Sequence, residues 1–132
     1  MTYQQRSELR RQMRSEICRD EAAYHLNLLQ IGQMHTHSLL GEMGEMYHSR
    51  RVSMLLRKAT QLTDNREDRR KLLHMQVSIS EKLSDLYEKQ IQGLETSSLP
   101  RFIADYLISR STTRAELYKG RARHSRELLR SK

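Results

Sequence analysis

The 132 residues carry 24 Lys and Arg against 16 Asp and Glu, giving a net charge of +8 and a pI near 10.0, while 36% are hydrophobic. That apolar share is below the ~45–50% of an ordinary globular domain, and the length is too short for two compact cores. The single cysteine, Cys18, excludes an internal disulfide, and no run approaches the ~20 apolar residues of a membrane span.

With one proline and five glycines among many Leu, Met, Arg, Glu and Gln, propensity favours helix throughout. The expectation is an all-α chain: a single helical domain over 1–132, built as an elongated antiparallel hairpin or a three- to four-helix bundle with coiled-coil character. The Arg-rich start imitates a mitochondrial presequence, but Glu8 and Glu16 argue against one, and no apolar secretory core precedes it. The chain reads as intracellular and, most simply, cytoplasmic.

Thr2 and Gln5 have the spacing of a capping box and predict a helix from residue 3. Leu9, Met13, Ile17, Tyr24, Leu28, Ile31, His35, Leu39, Met43 and Met46 continue one face at three- and four-residue steps; Val52, Leu55, Ala59 and Leu62 then shift it. No proline interrupts 3–62, so one helix is expected there, with Gly32, Gly41 and Gly44 as its weak points. Unbroken, it would be about 90 Å long, which demands either an elongated shape or a break.

Residues 63–68, TDNRED, form a turn in which Asp64 or Asn65 caps a second helix over 65–95. Leu72, Met75, Ile79, Leu83, Leu86, Ile91 and Leu94 supply its apolar face. Gly93 to Pro100 marks the clearest break, after which a helix over 99–111 carries Phe102, Ile103, Tyr106 and Leu107 on its buried side. Thr113 with Glu116 repeats the capping-box spacing and predicts a separate piece over 113–130, loosely packed or ordered on a partner. The short connection near Asn65 predicts a hairpin that sets 79–95 beside 33–49 and brings the N-terminus toward the C-terminal helix.

Net charge runs +3, −4, +5, −2 and +6 over residues 1–19, 20–49, 50–71, 72–95 and 96–132. In the expected hairpin the acidic segments meet at mid-length and the basic segments gather at both ends. This banding favours protein assembly, including staggered self-association of basic ends on acidic middles. Nucleic-acid binding is the alternative, less favoured because Asp20 to Ser49 lacks Lys and Arg.

Lys119, Arg123, Arg126 and Arg130 share one helical face and form the sharpest partner-binding candidate; Arg6, Arg10 and Arg14 form a second, N-terminal one. Such stripes suit an acidic helix, phosphates or, less readily, an anionic membrane surface. Leu39, Met43, Leu83, Leu86, Phe102 and Tyr106 are the expected core or interface residues. Glu45 and His48 have the Glu-x-x-His spacing of di-iron bundles, but a single such pair does not make the site. The cluster His25, His35, His37 and His48 would respond to pH near 6. Met34, Met43, Met46, Met54 and Met75 follow the apolar seam and read as packing residues, and Cys18 lacks a resolving cysteine. No phosphate loop, paired-cysteine zinc motif or catalytic triad appears, so no catalytic residue, metal, cofactor or small-molecule substrate is expected. The functional expectation is a non-enzymatic helical adaptor or structural subunit, completed by another copy or another protein.

Overall fold

A computed structural model describes the backbone of residues 1–33 and 39–131, and the side chains of 1–26 and 44–131. It contains four helices, α1 (Tyr3–Gln33), α2 (Leu39–Leu62), α3 (Arg66–Glu95) and α4 (Arg101–Arg130). The capping box forms at the start of α1: the Thr2 amide donates to Gln5 Oε1 at 2.9 Å and the Gln5 amide to Thr2 Oγ1 at 3.2 Å. Asn65 caps α3, its Oδ1 accepting from the amides of Glu67 and Asp68 at 3.0 and 3.2 Å. Those two acids favour the positive end of the helix.

The expected rod over 3–62 is two helices. Ser15 on α1 donates to the Ala59 carbonyl on α2 at 3.0 Å, and Arg51 on α2 pairs with Glu21 on α1 at 3.7 Å, contacts that only an antiparallel arrangement permits. Residues 34–38, through which the rod was expected to run, lie outside the described residues. The reason for folding back is burial: Ala22, Val52 and Ala59 are inaccessible in the hairpin and would be wet in a straight rod. Gly41 lies in the first turn of α2, and a Cβ on Gly44 would meet nothing, so neither the break nor a close crossing is made at Gly44.

A second difference lies in α4, which runs unbroken where two pieces were expected. Thr112 and Thr113 do not cap; their hydroxyls donate back to the carbonyls of Ile108 and Ser109 at 2.8 and 3.0 Å, a bond that a threonine makes inside a helix. Nor is its C-terminal half loose, since Ala115, Tyr118, Ala122 and Ser125 are buried.

The helices follow one another as an antiparallel row. α1 packs on α2, α2 on α3 and α3 on α4, and no other pair of helices brings Cα atoms within 8 Å among the described residues. The expected approach of the N-terminus to the C-terminal helix therefore does not occur. The α2–α3 hairpin is as anticipated, with Lys82 Nζ 3.2 Å from Glu45. Large apolar side chains concentrate there: Val52, Leu55, Leu56, Leu72, Ile79 and Leu83 form the centre of the core, to which α1 adds Ala22 and α4 adds Ala115 and Tyr118.

Candidate functional site

Side chains recur at about 100° around a helix, so each outer helix has an inner and an outer face. On α1 the inner face holds Ser15, Cys18, Ala22 and Leu26, mostly small, which lets it lie close to α2. Leu9, Met13, Ile17 and Tyr24 fall on the opposite side and are exposed, Ile17 at 55%. The apolar stripe read from the sequence is thus real in spacing but points outward. α4 repeats the pattern: Ala104, Ser111, Ala115, Tyr118, Ala122 and Ser125 turn inward, while Phe102, Tyr106, Leu117 and Leu128 turn outward. Phe102 is 76% and Tyr106 65% exposed, which corrects the expectation that they lie on the buried side.

The remaining core or interface candidates divide. Leu83 is fully buried and Leu86 half-buried, whereas the side chains of Leu39 and Met43 lie outside the described residues, as do those of His35 and His37. Of the methionines, Met46 packs against the core, Met54 and Met75 are exposed, and Met34 and Met43 are outside the described side chains. The chain exposes 9521 Å². A compact monomer of 15.7 kDa would expose about 7,300 Å². An open row with two apolar edges accounts for the excess.

Charges sort by face as well. Those turned toward a neighbouring helix are paired: Arg11 with Asp64 (3.6 Å), Arg19 with Asp68 (3.5 Å) and Arg51 with Glu21 (3.7 Å). The segment charges concealed this residue-level matching. Arg6, Arg10, Arg14, Glu16 and Asp20, by contrast, form no ion pair among the described residues and flank or lie on the outer stripe of α1.

The C-terminal basic stripe is partly spent inside the chain. Lys119 pairs with Glu88 and Arg126 with Glu81, both on α3, and the Glu88 hydrogen bond raises the Lys119 pKa above its ordinary value. Arg123 and Arg130 stay exposed. The reversals also redistribute the basic segments. Arg11 ties the start of α1 to the α2–α3 junction, and Arg70 donates to the Leu129 carbonyl at 3.3 Å, tying the end of α4 to the same place. Residues 1–19 and 50–71, with net +3 and +5, therefore meet at one end of the row and the last turn of α4 approaches it, whereas Lys119, level with Glu88, lies toward the other end.

Near mid-length of the α1–α2 contact, the Nδ1 atoms of His25 (α1) and His48 (α2) lie 2.7 Å apart, one ring donating and the other accepting. Tyr24 and Tyr47 pack edge-on around His25. Burial lowers the His25 pKa, helped by the nearby His48 and Arg51 and opposed by Glu21. Glu45 turns to Lys82 and His48 to His25, so the Glu-x-x-His pair does not converge. Among the described residues no three His, Cys, Asp or Glu side chains are placed to hold a metal.

One feature of the α3–α4 contact escaped sequence reasoning. Tyr87 and Tyr118 stack with ring centroids 5.9 Å apart, and Arg114 and Arg121 lie over their outer faces at 6.0 and 5.2 Å. Tyr87 continues the Ile79–Leu83 spacing and was legible on that ground; Tyr118 sits among charged residues that mask it. None of the described helices is long and apolar enough to cross a membrane. No protein-family model, curated protein or solved structure matches the chain, so the meaning of these faces rests on their own chemistry.

Proposed function

We propose that the protein is a non-enzymatic helical adaptor or structural subunit that docks protein helices on the outer faces of α1 and α4. The observation that carries this reading is the inversion of the two outer helices, each of which buries small residues and presents Leu, Met, Ile, Phe or Tyr to solvent. A monomer gains nothing from such faces, since wet apolar stripes cost solubility, whereas a partner helix covers them at a gain of ~25 cal/mol per Å². Oligomeric and coiled-coil association belong to this reading. The test is residue-specific crosslinking of the full chain in its native setting. Crosslinks from both faces to protein, lost in Ile17→Glu and Phe102→Glu variants that keep their helicity, would support it. A chain that crosslinks to no protein would overturn it.

A second reading, nucleic-acid binding, is favoured by one observation, the gathering of Arg6, Arg10, Arg14, Arg57, Arg66 and Arg130 toward one end of the row. The Lys- and Arg-free segment that argued against it lies toward the other end. Retention on duplex DNA above ~0.2 M salt, lost when Arg66 and Arg130 are changed to Glu, would select it.

A further inference from the structure

Every residue from Tyr3 to Arg14 is exposed, because α2 ends level with the Arg11–Asp64 pair and the first turns of α1 overhang it. A helical segment of that length has little stability of its own in water. Along the outer face of α1, Arg6, Arg10, Met13, Ile17, Asp20 and Tyr24 follow one another at alternating four- and three-residue steps. That is the a/d alternation of a two-stranded coiled coil. All six side chains are exposed, and among the described residues none of the three charged ones is in an ion pair.

We infer that the partner of this face is the same face of a second copy, in an antiparallel pair whose two-fold axis passes at the level of residue 15. The inference rests on the assembly reading and names its partner. Charge order selects the direction. Side by side in parallel, Arg6, Arg10 and Asp20 would each meet their own kind. Antiparallel and centred on residue 15, Met13 lies level with the partner's Ile17, Arg10 with the partner's Asp20 and Arg6 with the partner's Tyr24, a cation over an aromatic ring. Symmetry makes each layer twice, giving two apolar layers at the centre, an ion pair on either side and an Arg–Tyr layer at each end. Leu9, beside the seam, comes next to the partner's Ala23. Arg14 and Glu16 border the seam near the axis, where each approaches its own kind but remains in water. The overhanging turns then lie along the middle of the partner's α1, which gives them the contact they lack in one chain.

A two-helix contact of this length buries on the order of 1,000 Å² in total, the lower edge of a specific interface, so association at micromolar concentration is expected. The test is sedimentation equilibrium of the full chain from about 1 to 500 μM, which brackets that range. The wild type should rise from 15.7 kDa toward twice that mass. Ile17→Glu should weaken the dimer at least tenfold, Arg10→Asp and Asp20→Arg should each weaken it several-fold, and the double swap should restore it, with helicity unchanged throughout. A wild type monomeric at every concentration, a dimer indifferent to Ile17→Glu, a dimer lost in Phe102→Glu instead, or single swaps that the double swap does not rescue would each overturn the inference. Should the wild type be monomeric while its outer faces still crosslink to other proteins, self-pairing fails and the assembly function stands; if both are absent, both fail.

Discussion

Ala115 and Leu117 are two residues apart on α4 and lie on opposite faces, 3% and 48% exposed. Ordinary expectation is that removing a leucine harms a protein more than enlarging an alanine. Here the order should invert. Ala115 packs in the core with Tyr87 and Tyr118, so Ala115→Leu forces three further carbons into a space set by a close α3–α4 approach. Overpacking of this kind costs typically 1–3 kcal/mol. Leu117→Ala surrenders about half of a leucine's burial and gains helix propensity, for a net cost of about 1 kcal/mol or less. At roughly 3–5 °C per kcal/mol for a chain of this size, Ala115→Leu should lower Tm by about 3–15 °C and Leu117→Ala by no more than about 5 °C. The assay is thermal and urea unfolding at low micromolar protein, where association does not contribute. If Leu117→Ala proves the more damaging substitution under those conditions, the assignment of inner and outer faces on α4 is wrong.

Three further outcomes follow from particular groups. The Ser84 hydroxyl is buried without a hydrogen-bond partner among the described residues, so Ser84→Ala should stabilise the chain by about 1 kcal/mol in urea unfolding, through relief of desolvation and better helix propensity. Asn65→Ala removes the side-chain acceptor of two amides at the start of α3 and should cost about 1 kcal/mol, read as a lower urea midpoint with an unchanged m-value. Because the folded pKa of His25 lies below its ordinary value of 6.5, the unfolded chain takes up the proton first. Stability from this group is full above about pH 6.5 and declines as pH falls through it. Urea unfolding at pH 8 and pH 5.5 should show a larger loss in the wild type than in His25→Gln; equal losses would refute the assignment.

The all-helical content, the caps at Thr2 and Asn65, and the α2–α3 hairpin were legible because each depends on local spacing and turn chemistry. The fold-back of α1 on α2 was not, because no proline marks it and the apolar spacing runs on from Ile31 through His35 to Leu39, past Ser38; the decision is made by burial of Ala22 and Val52 across the hairpin. Thr113 misled for a related reason, since a threonine three residues before a glutamate fits a helix start as well as a back-bonded mid-helix position, and only the Ser109 carbonyl distinguishes them. Periodicity located the stripes on α1 and α4 but not their direction. A stripe of large apolar residues and a stripe of alanines and serines have the same period, and hydrophobicity alone assigns the larger one to the core. Close helix approach reverses that assignment at both edges of this row.

That reversal bears on how the chain couples stability to association. Large side chains lock α2 to α3, whereas among the described side chains α1 is held to α2 chiefly by Ser15, Cys18, Ala22 and part of Leu26, together with exposed ion pairs that contribute little. Small residues remove less apolar area from water per turn, so α1 should be the first helix to detach in local unfolding. α4 is better held, because the Tyr87–Tyr118 stack adds to its row of alanines. A partner seated on the outer stripe of α1 would therefore stabilise the helix on both sides at once, and the free energy of ordering α1 would become part of the binding equilibrium. Amide exchange in α1 should then slow as protein concentration rises, while exchange at Leu83 and its neighbours in α3 should not change. If α1 exchanges as slowly as α3 in the dilute chain, its inner face is stronger than its residues imply, and the outer stripe has no role in holding it.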